Sequence, residues 1–300
     1  MATKKREVLF EFPSPMDNDC LIGHLETLNT FYNAWEKRIE HPIHPVWMLC
    51  GPRGIGKATL AYKIAKSVYG NVGDFFILDL AHNVDERGNI KSEAKQISVH
   101  TVRAMIEKMQ MSSMSGKWRV VLIDAVDELT VAAENAVLKL LEEPPQQTLF
   151  LLVTHQLSNV LPTVRSRARV EKMRPLTISQ LRELCARFMG DTEVSSDILK
   201  LSNGSFGKIA NLKASGGDVI YEELLNTLRD KHSSASDMMS VAVKIASEPA
   251  LYGIVLDAIA FFNLADLYPM ASKTISDINR LNLKADITIF KIITEIKKCL

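Results

Sequence analysis

A chain of 300 residues with 47% hydrophobic and 24% charged residues has the composition of an ordinary globular protein, long enough for about two domains and a real core. Its formal net charge of +1 carries no nucleic-acid signature by itself, so any contact with DNA has to be local or shared with partners. The cysteines Cys20, Cys50, Cys185 and Cys299 lie too far apart for a CxxC pair and indicate neither a zinc ribbon nor a disulfide framework. The basic Met1 to Arg6 precedes no apolar core of signal-peptide length, and no uncharged apolar run approaches about 18 residues; the expected setting is soluble, reducing and cytoplasmic, without a membrane partner.

Residues 1–19, with Pro13, Pro15, Asp17, Asn18 and Asp19, read as an extended arm. Leu25, Leu28, Tyr32 and Trp35 recur at helical spacing and predict an amphipathic helix ending near His41-Pro42. The stretch that organises the chain follows, VWMLCGPRGIGKAT at Val46 to Thr59, where a buried strand breaks into a glycine-rich turn and then a helix. It has the look of a P-loop. Gly51, Gly54 and Gly56 lack side chains where backbone N–H groups close around a phosphate, and Lys57 supplies a point charge at the helix start. The pattern requires Ser or Thr next, whose hydroxyl binds Mg²⁺, and the residue there is Ala58. Thr59 comes one residue late, turned about 100° away on a helix.

The helix after Lys57 turns Leu60, Ile64 and Val68 inward and ends near Gly70. Phe75 to Leu80 is of strand length, His82 to Lys95 is a polar surface excursion, and Thr101 to Met109 predicts a helix followed by a loop at Ser112 to Gly116. Val120 to Ile123 then reads as a central parallel strand that delivers Asp124 to its C-terminal edge. Thr130 caps a helix to Glu143, with Ala136, Val137, Leu140 and Leu141 inward, stopped by Pro144-Pro145, and Leu149 to Val153 is a further buried strand. Alternating strands and helices predict a parallel sheet with helices on both faces. TVRSRARVEKMRP is unusually basic. From the capping box TISQ at Thr177 onward no strand is evident. Helices are expected at Asp197 to Leu201, up to Lys213, and over Tyr221 to Arg229, Asp237 to Ala246, Leu251 to Leu267 and Asp286 to Lys298, the last with a stripe of Phe290, Ile293 and Ile296. Gly216-Gly217 is the expected link between a small helical unit and a larger bundle.

GPRGIGKAT, LIDAVDEL, NAVLKLLEEPP, LFLLVTHQLSNVLPTVRSRA and GSFGKIANL, in that order, resemble the clamp-loader branch of the AAA+ family over Gly23-His24 to about Leu212. The resemblance implies an α/β P-loop (AAA+-like) domain with a parallel sheet at residues 1–175, a small helical lid domain at 176–215 and a C-terminal all-α collar domain at 216–300. Its members assemble with gamma or tau and delta clamp-loader subunits, open a ring-shaped sliding clamp and place it on primed DNA. Carried over residue by residue, Gly51, Gly54, Gly56 and Lys57 form a degenerate Walker A loop, and Asp124 matches a Walker B aspartate followed by Ala125 where the water-activating glutamate belongs. Asp127 and Glu128 fall outside the strand and are not promoted to that role. His155 stands at the sensor-1 position, while Gly207 aligns with the sensor-2 arginine and Lys208 is one residue off. Ser166-Arg167-Ala168 resembles the SRC motif, which makes Arg167 an arginine finger acting in trans on ATP held by a neighbour.

These departures lead to a non-hydrolysing subunit with no polymerase activity of its own, which requires no cofactor and retains at most weak binding of ATP, ADP or phosphate. An autonomous gamma/tau-like AAA+ ATPase is the alternative, favoured by the retained loop; a P-loop kinase is disfavoured by the strand-free C-terminal half. Structural alternatives stand beside each site residue. The loop can be a plain strand-to-helix turn, Asp124 a backbone cap, and Arg165 and Arg169 a solvated basic surface, the default also for Arg103 and Lys108. The methionines at 105, 109, 111 and 114 read as packing, and His24, His41, His44 and His155 show no metal spacing.

Overall fold

The computed structural model describes residues 13–70, 74–90, 95–110, 118–190 and 194–300, so the expectations for Met1 to Arg6, for Ser112 to Gly116 and for Met111 and Met114 lie outside the described residues. The chain divides into two units, Phe12–Leu176 and Thr177–Leu300.

The first unit runs α1 (Leu25–Glu36), β1 (Val46–Cys50), α2 (Lys57–Tyr69), β2 (Phe75–Leu78), α3 (Val99–Gln110), β3 (Arg119–Asp124), α4 (Val131–Glu142), β4 (Thr148–Thr154), α5 (Pro162–Arg165) and β5 (Arg169–Lys172). The strands form one sheet in the order β2-β3-β4-β1-β5, with every pairing parallel. Strand periodicity divides the core in two. Val46, Met48, Val121, Ile123, Phe150 and Leu152 face one way and pack with Val102, Met105 and Met109 of α3 and Ala133, Val137 and Leu141 of α4. Their neighbours Trp47, Leu49, Val120, Leu122, Leu149 and Leu151 face the other way, against Leu28 and Phe31 of α1 and Leu60, Ala61 and Ile64 of α2. A strand buried on both faces cannot alternate with polar residues, which is why β1, β3 and β4 read as continuous apolar runs. Thr130 caps α4 as expected, its hydroxyl accepting the Ala133 N–H.

β5 settles the basic run, whose alternating arginines read as a loop or a strand edge, as an edge strand. It pairs only with β1, at the sheet edge, and its RVEK has the charged, partly exposed pattern of an edge rather than of a core. Arg169 is therefore more than a solvated surface cation: its guanidinium lies 4.3 Å over the ring of the buried Trp47 and its Nε donates to Glu171 at 2.8 Å.

The second unit is helical among its described residues: α6 (Ile178–Met189), α7 (Ser196–Leu201), α8 (Phe206–Ala214), α9 (Gly217–Arg229), α10 (Ala235–Ala246), α11 (Gly253–Phe261), α12 (Tyr268–Arg280) and α13 (Ala285–Lys298). The TISQ box is formed, with Thr177 and Gln180 capping each other's backbone N–H groups. Two expectations are corrected. Leu251 to Leu267 is not one helix, because α11 ends at Phe261 and Asn263 takes the left-handed conformation at φ 57°. The chain then forms α12, which was not expected and which carries Pro269 in its first turn, where a missing N–H costs nothing. In α13 the buried stripe is Ile289, Ile292, Ile293 and Ile296, packed against α10, and Phe290 is only half-buried. Gly216-Gly217 is a tight corner: Gly216 has φ 66°, and a Cβ on Gly217 would stand 2.9 Å from methyls of both Leu212 and Leu251. Lys297 closes the end of α9 by donating to the carbonyls of Thr227, Leu228 and Asp230.

Candidate functional site

The carboxyl edge of the sheet brings four segments of the first unit together. β1 sits between β4 and β5, at the place where the strand order reverses, and the loop from Gly51 to Gly56 leaves it there for α2. Gly54 and Gly56 adopt φ 78° and 100°, which only glycine takes without strain, and a Cβ on Gly51 would stand 2.7 Å from the Met173 carbonyl oxygen. The loop thus needs its three glycines for backbone shape alone. His24, which had shown only a lack of metal spacing, buttresses it. Its Nε2–H donates to the Ile55 carbonyl at 2.7 Å, and burial, opposed by that bond, lowers its pKa.

Lys57 begins α2 and is 3% exposed. Its Nζ donates to the Gly51 and Pro52 carbonyls at 2.7 and 2.6 Å. Burial, only partly offset by the charges of Asp124 and Asp127, brings its pKa down to about 8. Asp124 ends β3, and burial together with the neighbouring Asp79 outweighs the attraction of Lys57, raising its pKa to about 6. Asp127 is engaged by backbone, accepting the N–H groups of His155 and Gln156 at 3.0 to 3.1 Å, while Glu128 faces Arg53 of the loop at 3.4 Å. Both carboxylates are thus engaged within the first unit. His155, just past β4, is held down to about 4 by burial and then by Lys57, and is neutral at pH 7.

Two buried polar atoms at this edge lack a hydrogen-bond partner among the described residues: Thr154 Oγ1 and His155 Nδ1. Thr154 is fully buried and pairs in register with Cys50, beside the loop, with its carbonyl accepting the Gly51 N–H. The glycine cradle and a desolvated ammonium beside it fit a phosphate group. The Mg²⁺ that accompanies nucleotide in P-loop enzymes fits poorly, because the hydroxyl ligand is replaced by Ala58 and Asp124 stands without its acidic neighbour.

Arg167 lies elsewhere on the same unit, directly after α5. Its Nη1 donates to the Thr163 carbonyl at 2.9 Å, its Nη2 meets Glu142 Oε1 at 2.8 Å, and its side chain is 35% exposed. α5 is anchored from α4, where the buried Glu134 accepts the Leu161 N–H at 2.6 Å; burial raises its pKa. Ala168 packs on the core behind the arginine. In the second unit Lys208 pairs with Asp257 at 2.5 Å, so this cation beside the expected sensor-2 position has a partner of its own. The sequence reading did not find Glu134, Glu142 or Thr154. Glu134 could have been noticed as an acid beside the core-facing Ala133 and Val137, whereas nothing in the pattern distinguished Glu142 or Thr154.

The raised pKa of Asp124 makes a stability prediction. The folded carboxyl binds a proton over a range, from about 4 to about 6, where the unfolded one does not, so its contribution to stability falls as pH rises through that range. Asp124→Asn is expected to stabilise the chain by up to about 3 kcal/mol at pH 7.5. It should also flatten the pH dependence of urea unfolding between pH 4 and 6; a less stable variant would contradict the electrostatic reading.

A family model described as DNA polymerase III, delta subunit, matches residues 26–177, half of the chain. The DNA polymerase III subunit delta' of Pseudomonas aeruginosa is 31% identical over 183 residues, covering 53% of this chain and 52% of that protein. The DNA polymerase III subunit gamma of Buchnera aphidicola is 28% identical over 184 residues, covering 57% and 51%. The chain thus spans about half the length of these curated relatives. Among solved structures, the Aeropyrum pernix ORC1 protein in complex with DNA superposes with a TM-score of 0.51 at 13% identity, covering 93% of this chain and 94% of that one, a likeness of fold. With its P-loop on a parallel five-stranded sheet and helices after it, the chain belongs to the family described as DNA polymerase III, delta subunit.

Proposed function

We propose that this chain is the delta-prime type of clamp-loader subunit, one that does not hydrolyse ATP itself but stiffens the ring and supplies Arg167 to ATP held by a neighbouring gamma or tau subunit. In this reading residues 176–215 serve as lid and 216–300 as collar. The partners are gamma/tau and delta subunits, a sliding clamp and primed DNA in the cytoplasm. The observation that carries the proposal is a contrast within one unit. The Arg167 guanidinium is held at the surface by defined partners, while the chain's own loop lacks the metal hydroxyl and the water-orienting acid.

The chemistry follows from what remains. Phosphoryl transfer depends on positioning and charge stabilisation, and an arginine in trans contributes about 10³ to 10⁵ in rate. The glycine cradle and Lys57 can hold phosphate charge, so binding outlasts catalysis. An autonomous gamma/tau-like ATPase remains the second reading, favoured by the retained cradle.

In the reconstituted complex Arg167→Ala is expected to lower clamp- and DNA-stimulated ATPase about tenfold or more. Unchanged turnover with intact assembly would sink the trans-arginine mechanism. For the chain's own loop, the pKa of Lys57 near 8 sets the sign of a pH effect, since the anion needs the protonated amine. Affinity for ADP should fall as pH rises from 7 to 9.5, and Lys57→Ala should bind weakly with no such slope. An equal slope in wild type and variant would show that Lys57 does not face the anion.

A further inference from the structure

The LLEEPP segment contains a carboxylate in an electrostatically poor place. Glu142 is the last residue of α4, where unpaired carbonyls give the helix end a partial negative charge and an anion is disfavoured by about 0.3 to 1 kcal/mol. Pro144-Pro145 stop the chain directly afterwards, and Glu142 faces Arg167 across 2.8 Å. Surface ion pairs usually contribute little to stability, so stability is a weak reason for a glutamate here. Geometry offers a better one.

A guanidinium carries N–H donors in a planar fork, and fixing one edge sets the direction of the other. Glu142 holds Nη2, and the Thr163 carbonyl holds Nη1 with Ser166 Oγ at 3.5 Å, contacts that leave Nε and the other edge of Nη2 for an anion among the described residues. Both supports trace to rigid parts of the same unit. α4 is packed on the sheet through Ala133, Val137 and Leu141, and Glu134 of α4 fixes the Leu161 N–H at the start of α5, which carries Thr163. Without Glu142 the long arginine side chain would sample several rotamers and lose that freedom only on meeting its target.

We propose that Glu142 is the positioning residue for Arg167, holding the guanidinium in the orientation in which it meets the γ-phosphate of a neighbouring subunit's ATP. This rests on the trans-arginine reading above. The role is positional rather than a matter of charge: an acceptor oxygen at the end of a side chain of glutamate length is required, and the negative charge itself is not.

Three variants of the full chain, in the reconstituted clamp-loader complex with ATP, primed DNA and clamp, separate these terms. Glu142→Ala removes the acceptor and should lower kcat about three- to tenfold with KM for ATP, assembly and thermal midpoint unchanged. Glu142→Gln keeps an oxygen at the same reach and should stay within about twofold of wild type, while Glu142→Asp keeps the charge but retracts it and should resemble the alanine variant. In an Arg167→Ala background Glu142→Ala should cause no further loss. Wild-type or raised turnover in Glu142→Ala, or equal impairment of the glutamine and alanine variants, would overturn the positioning role where Arg167→Ala alone remains defective. No defect in Arg167→Ala itself would instead remove the reading on which the role rests.

Discussion

A lysine ammonium buried at the carboxyl edge of a parallel sheet is the constraint around which the first unit is arranged. Lys57 is 3% exposed, and removing such a charge from water costs several kcal/mol unless it is solvated by protein. Two carbonyls of its own loop provide that solvation, and they can do so only because the glycine loop curls back over the helix start. The curl in turn depends on Gly54 and Gly56 at positive φ, on the close approach of Gly51 to the Met173 carbonyl, and on the His24 side chain bracing Ile55. Asp124 and Asp127 add favourable charge, at the expense of a strained carboxyl on β3. Such an arrangement is poorly explained by stability, which is the physical reason for proposing an anion there.

The same sheet carries a second functional element that uses none of this. Arg167 follows a helix of only four residues, and so short a piece cannot hold a long side chain by itself. Its rigidity is borrowed from α4. Glu134, buried and hydrogen-bonded to the Leu161 N–H, fixes where α5 begins, and Glu142 at the other end of α4 fixes the guanidinium. The glycine loop and the ordered arginine are therefore independent of each other, since the two share a scaffold but no side chains.

Much of this was legible in the sequence because the signals were local and periodic. The apolar runs of β1, β3 and β4, the glycines of the loop, Thr130 and the Thr177 box all encode their own structure within a few residues. The losses have physical causes. β5 is a short edge strand whose arginine packs on a tryptophan of the neighbouring strand, so its charges left undecided a strand that only β1 completes. α12 was hidden behind a left-handed Asn263 and a proline that serves as a helix start. The partners of Arg167 and the unpartnered Thr154 hydroxyl are tertiary facts: Glu142 and Arg167 are 25 residues apart, and nothing in either neighbourhood announces the other.

A phosphate loop that binds without turning over is tested most directly by ATP hydrolysis by the purified single chain against Lys57→Ala. No turnover above the variant is expected, together with weak ADP binding that is weaker still in the variant. Lysine-dependent turnover at an ordinary ATPase rate, about 1 s⁻¹ or faster, would contradict it and make this chain a motor in its own right.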